Sequence, residues 1–139
     1  MKKYFLIILG LFAIIACSKR QEKLELFSAE SFAYSMDNGW EMNASVRVKG
    51  FEQDESGKEF TAKLSYTVDL ETSDGKLVEG IDKGVVDKKQ NERMTDLPIN
   101  SQLKLDSTYK TGTYKVMFYV KDELTGQKAN LWSFFELTN

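Results

Sequence analysis

Few side chains in this 139-residue chain can do covalent chemistry. There is one cysteine, Cys17, and no histidine. The missing imidazole removes the Ser-His-Asp and Cys-His arrangements, the usual zinc sites and the commonest general base. What remains is carboxylate and Ser/Lys chemistry. The acidic stretches "EQDESGKE" (residues 52–59) and "DLETSDGK" (residues 69–76) raise the question of Ca²⁺. A calcium loop of the D-x-[DN]-x-[DN]-G kind needs acidic residues at alternate positions. Asp69-Leu70-Glu71-Thr72-Ser73-Asp74-Gly75 misses that spacing, and Asp69 and Glu71 fit the solvent face of a strand. No metal and no cofactor is expected. A paired-carboxylate or Ser-Lys enzyme stays open, with no motif in its favour.

Cys17 stands where an apolar run meets a charged one. Met1-Lys2-Lys3 is a short positive segment, and Tyr4 to Ala16 follows with no charge. That run is shorter than the roughly 20 residues a spanning helix needs. It fits the apolar region of a secretory leader, about 7–15 residues behind a positive start. The run closes on Ile14-Ile15-Ala16-Cys17. These four residues resemble the lipobox of bacterial lipoproteins, in which a small residue precedes the cleaved bond and the cysteine thiol receives a diacylglyceryl group. The resemblance implies a leader over 1–16, a lipid on Cys17, and a bacterial envelope protein anchored by that lipid. With the one cysteine given to lipid, no haem or blue-copper site is expected either. Ser18, rather than the aspartate that often signals inner-membrane retention, leans towards the outer membrane. A leader cut elsewhere, with Cys17 a bystander, is the plainer alternative.

Loss of residues 1–16 takes the 19 basic residues to 17 against 21 acidic, a formal charge of −4 spread without a block. Nucleic-acid binding wants a basic patch or stripe, and none is visible. Ser18 to Lys23 reads as a polar tether, so that 17–23 is lipidated cysteine plus linker and 24–139 one domain. That length suffices for a single core.

The elements that must carry any site read as strands. Leu24 to Tyr34 holds short apolar alternations, Leu24/Leu26 and Phe32/Tyr34, enough for one or two short strands. "WEMNASVRVK" alternates cleanly, with Trp40, Met42, Ala44, Val46 and Val48 on one side. "EFTAKLSYTVDLET" does the same, from Phe60 and Ala62 to Val68 and Leu70. Alternation at period two marks a half-buried strand. "SDGK" at 73–76 supplies a turn, with Gly75 free to take positive φ. Leu77 to Lys88 reads as an irregular or edge strand, Pro98 as a break, and Leu103/Leu105 as a further short strand. No stretch after the leader keeps a 3.6-residue apolar period. About seven short antiparallel strands with frequent turns point to an all-β sandwich.

The strongest pattern is C-terminal. In "GTYKVMFYVKDELTG", Gly112, Tyr114, Val116, Val120, Asp122 and Gly126 resemble the penultimate strand and turn of bacterial immunoglobulin-like modules of the PKD or HYR kind. The resemblance implies an Ig-like β-sandwich, and no function. It implies a tyrosine corner at Tyr114, two residues before Val116, with the hydroxyl bonded to backbone at the strand's start. Trp40 or another aromatic would fill the central core position. A lipocalin-like or other small barrel is the rival fold.

If Thr125-Gly126 is the tip of the last hairpin, Tyr119 opposes Trp132, Met117 opposes Phe134 and Lys115 opposes Glu136. On the other face Val116 meets Phe135, Phe118 meets Ser133 and Val120 meets Leu131. The hairpin is then apolar on both faces. Val116, Phe118, Val120, Leu131 and Phe135 are the core side. Met117, Tyr119, Trp132 and Phe134 form a second cluster, expected to be covered by the N-terminal segment or a long loop. The sharper alternative leaves it exposed as a binding patch, because aromatic residues and Met are enriched at protein interfaces. The function this supports is a non-catalytic, membrane-anchored envelope lipoprotein that binds a protein or plays a structural part. A surface-presented inhibitor of a protease or lysozyme is the alternative, and a carboxylate-based hydrolase a more distant one.

Overall fold

The computed structural model describes residues 21–139. Cys17, the leader over 1–16 and the first part of the expected tether lie outside the described residues. Eight strands make up the rest: β1 (Glu25–Met36), β2 (Gly39–Lys49), β3 (Asp54–Ser56), β4 (Glu59–Glu71), β5 (Leu77–Gln90), β6 (Leu97–Asp106), β7 (Gly112–Asp122) and β8 (Lys128–Leu137). Among the described residues there is no helix, and every paired ladder is antiparallel. One strand more than expected comes from the "DES" segment, which pairs as β3 with the start of β4 across Gly57.

The strands form two sheets. The first has the order β1-β2-β6. In the second, β4 pairs β3, β5 and β7, and β7 pairs β8. Phe60 and Thr61 of β4 pair with both β3 and β5, while Leu64 to Val68, Leu70 and Glu71 pair with both β5 and β7. So β3 and β7 occupy successive stretches of the β4 edge opposite β5.

The alternating segments behave as their period requires. Met42, Ala44, Val46 and Val48 are buried on β2 while Arg47 and Lys49 are exposed. Ala62, Leu64, Val68 and Leu70 are buried on β4. Ile99 and Leu105 from the first sheet and Val116, Phe118 and Leu137 from the second join them in one hydrophobic core. Each fully buried side chain of this size contributes about 1.5–3 kcal/mol.

Three local readings are corrected. In place of one or two short strands over Leu24 to Tyr34 there is one long strand, Glu25–Met36, interrupted by a bulge between Phe27 and Glu30, where Ser28 takes a φ of 51°. A bulge inserts an extra residue and switches which parity faces inward. Leu26 opposite Val48 is therefore buried, but after the bulge Ala33 opposite Met42 turns inward and Phe32 and Tyr34 turn out. Pro98 does not break the pattern; it is the second residue of β6, opposite Arg47. A ring without an N–H is tolerated there because β6 is an edge strand that pairs only with β2. Leu103 and Leu105 belong to that same strand.

Gly75 does turn β4 into β5, at a φ of 85°, with its N–H donating to Thr72 O at 2.9 Å. Further along, β4 and β5 change register between Val68 and Leu70, and Gly80 N donates to Asp69 Oδ1 at 2.8 Å. Asp69 thus closes the irregularity, and Glu71 lies 3.3 Å from Lys115 Nζ.

The two sheets meet along β1 and β8. Leu24 N donates to Gln127 Oε1 at 3.1 Å, Ser31 Oγ lies 2.8 Å from Ser133 Oγ, and Trp40 Nε1 donates to Thr138 O at 2.8 Å. Numbers rise together along both strands, so β1 runs parallel beside β8. Side chains, not a ladder, hold the seam.

Candidate functional site

The β7–β8 hairpin carries all four residues of the expected binding patch, Met117, Tyr119, Trp132 and Phe134. Its register differs from expectation by two residues. Met117 opposes Trp132, Tyr119 opposes Asn130, Lys115 opposes Phe134 and Val116 opposes Ser133. The cause is a longer connection. Asp122 N donates to Gln127 O at 2.9 Å, and Gly126 N donates to Asp122 O at 2.7 Å, leaving four residues in the loop rather than two. The fully buried Asp122 carboxylate holds it there, accepting from Leu124 N and, across the molecule, from Glu52 N at 2.8 Å. A displacement of two keeps every side chain on its face. Lys115 therefore loses Glu136 as a partner and instead faces Glu71, with its Nζ 5.8 Å from the Trp132 ring centre.

The inner face matches its expectation. Val116, Phe118, Val120 and Phe135 are buried, and Leu131 is half-buried against the core. Tyr114 lies at the start of β7, buried, and its hydroxyl donates to Lys110 O at 2.6 Å. Its ring stacks on Phe135 with centres 5.5 Å apart. Gly112, two residues before it, has a φ of 136°, and a Cβ there would fall 2.7 Å from Ser73 Cβ. Both terms of the G-x-Y pattern thus have a physical cause. Trp40 is not the central core aromatic: it is half-buried at the start of β2, against the C-terminal end of the chain.

The outer face overturns the expected covering. Trp132 is 53% exposed, Phe134 61% and Tyr119 42%, with Met117 half-buried between them. Strand β1 passes beside β8, not over this face, and adds to the patch. Ser31 Oγ donates to Phe134 O at 3.1 Å, which sets outward-facing Phe32, 59% exposed, next to Phe134. The apolar surface runs from Phe32 across the seam to Tyr119. Soluble monomers seldom leave such a contiguous patch open without use.

Two polar clusters went unread in the sequence. On the outer face of the first sheet, the Glu41 carboxylate accepts from the Tyr34 hydroxyl, Gln102 Nε2 and Asn43 Nδ2. The Tyr34 hydroxyl above all, then Gln102, holds the Glu41 carboxyl below its ordinary value, and the same bond pushes Tyr34 up. At the end of the molecule opposite Asp122, the β4–β5 turn and the β6–β7 connection frame a cleft containing Asp74, Asp106, Lys76 and Lys110. Asp74 is held low chiefly by the Thr72 hydroxyl, and Asp106 by the Thr108 hydroxyl. A carboxyl serving as general acid needs the opposite displacement. Among the described residues, no three of His, Cys, Asp and Glu gather in a metal-holding group.

No protein-family model matches the chain, and no curated protein is similar to it. Among solved structures it is similar to Pseudomonas fluorescens alkylpurine DNA glycosylase AlkC bound to DNA containing an abasic site analog, at 13% identity and a TM-score of 0.38. That similarity covers 85% of this chain and 31% of the glycosylase chain, so the chain spans about a third of the structure it resembles.

Proposed function

We propose that this chain is a lipid-anchored module of the bacterial cell envelope, and that its β7–β8 outer face binds protein.

 The fold of the module is an Ig-like β-sandwich, and its place is the outer membrane. The observation that carries the reading is the open cluster of Trp132, Phe134 and Tyr119 on the rigid last hairpin. Ordered strands hold these rings in place, so a partner gains their contact area with little loss of side-chain freedom.

The strand pairing supports the Ig-like part. Partners β1-β2-β6 on one side and β5, β4, β7 and β8 on the other correspond to the A-B-E and C′-C-F-G sets of such domains. The Tyr114 hydroxyl on Lys110 O has the form of the tyrosine corner. The Ile14-Ile15-Ala16-Cys17 resemblance supports the anchor. Glu22 O accepts from Gln127 Nε2 at 3.0 Å, and Glu22 is five residues after Cys17 in the sequence. Five extended residues span at most about 17 Å. With a lipid on Cys17, the β7–β8 turn then stands close to the bilayer. Trp132 and Phe134 lie about 15–25 Å further along β8, at roughly 3.3 Å per residue. That separation keeps the patch away from the anchored end and open to a protein.

Two variants test the reading in cells. Cys17→Ser should lose palmitate labelling and membrane partition, and unchanged labelling would refute the anchor. Trp132→Ala should lose the proteins cross-linked to the wild-type chain while its melting temperature stays put. Undiminished cross-linking in that variant would refute the binding face.

A further inference from the structure

We infer that the protein bound by the β7–β8 face is a second copy of this chain, packed on it about a two-fold axis that crosses the strands between Met117 and Trp132. This rests on the proposed use of that face for protein binding and names its partner.

The cross-strand register lays the face out in rows. Glu136 and Thr113 form the row at one end; Phe134, Lys115 and Glu71 follow; then Trp132, Met117 and Asp69. Asn130, Tyr119 and Thr67 come next, and Lys128, Lys121 and Ser65 form the row at the far end. Lys83 lies beside Thr67 on β5. Acidic groups therefore gather towards the Glu136 end and basic groups towards the Lys128 end, with the aromatic cluster between them. Lys115 and Glu123 are the exceptions: Glu71 neutralises the first at 3.3 Å, and Lys121, 3.7 Å away, neutralises the second. Among the described residues, neither Glu136 nor Lys128 belongs to an ion pair.

A two-fold axis lying in the plane of the face and perpendicular to the strands reverses this order in the partner copy. It puts Trp132 and Met117 on their own counterparts. It sets Glu136 against Lys128 of the second copy and Lys128 against its Glu136. An isologous contact of this kind needs a self-complementary patch, and the gradient supplies one. Four strands about 4.8 Å apart, each ten residues long, give a face of roughly 600 Å² in projection. Side-chain relief brings its accessible area towards the ~800 Å² that each partner buries in a stable complex. The apolar centre with a charged rim is the usual make-up of such a contact. A lipid surface fits less well, because the acidic end would meet anionic headgroups.

The test uses the full chain extracted from membranes in mild detergent. Sedimentation should show a dimer. Glu136→Lys and Lys128→Glu should each weaken it about tenfold or more, since each reversal sets like charges together at two places. The double variant should restore it. Thermal melts should leave all three folded. In cells, a photo-cross-linking residue at Asn130 should give an adduct of twice the chain mass. A monomer in detergent whose Asn130 probe captures a different protein would overturn self-pairing and leave the binding face standing. A monomer with no adduct at all would overturn both. A dimer that the charge exchange does not restore would overturn this two-fold arrangement.

Discussion

Tyr114 and Trp132 belong to one hairpin and have opposite fates. Tyr114 was readable because G-x-Y joins two constraints, a backbone that only glycine accepts and a hydroxyl that must reach a carbonyl. Tyr114→Phe removes one hydrogen bond and keeps the ring, so the chain should lose about 0.5–1.5 kcal/mol in urea unfolding with an unchanged slope. A loss near zero would show that the bond to Lys110 O contributes nothing. Trp132 was not readable in the same way. Its strand is apolar on both faces, and only the path of β1 decides which face stays open. At 53% exposure, Trp132→Ala should change stability by less than about 0.5 kcal/mol. A loss of several kcal/mol would mean that the ring is buried after all.

At the scale of elements, parity was legible and partners were not. The hydrophobic alternation assigned Val116, Phe118 and Val120 to the core whatever the turn, because a shift of two residues changes no face. The turn itself depends on Asp122, whose carboxylate bonds Glu52 N, 70 residues away in sequence. No local pattern announces that bond. The bulge at Ser28 is a similar case: it makes one strand look like two, and it turns Phe32 outward. Two substitutions separate face from register. Phe118→Ala should cost about 3–5 kcal/mol, the usual loss for a buried Phe. Asp122→Ala should cost about 1–3 kcal/mol by leaving Glu52 N and Leu124 N without acceptors. Both are read by urea unfolding. An Asp122→Ala variant as stable as the parent would show that the loop is set by something else.

For the whole molecule, the long alternating strands were legible from period and turn residues, but short β3 and the sharing of the strands between two sheets were not. The β1–β8 seam joins residues about a hundred positions apart through Ser31, Ser133 and Trp40, and no local pattern announces those pairings. The same non-local contacts decide how the chain responds to pH. Glu41, Asp74, Asp106 and Glu123 are each held low chiefly by a hydroxyl, from Tyr34, Thr72, Thr108 and Ser65 respectively. A lowered carboxyl stabilises the fold above its unfolded value, 4.5 for Glu and 3.8 for Asp, and that stability is lost as pH falls through the folded value. Tyr34 is raised by its bond to Glu41, and Tyr66 by burial. A raised tyrosine stabilises the fold below its unfolded value of 10, and the gain is lost as pH rises through the folded value. Between these limits the chain has no histidine to titrate. The melting temperature should therefore be flat from about pH 5.5 to 9, with a shallow fall below about pH 4.5 because none of the four carboxylates is buried. Removing the Tyr34 hydroxyl as Tyr34→Phe should reduce the acid-side fall and leave the plateau unchanged. A slope across pH 6–8 would point to a titrating group that this set of residues does not contain.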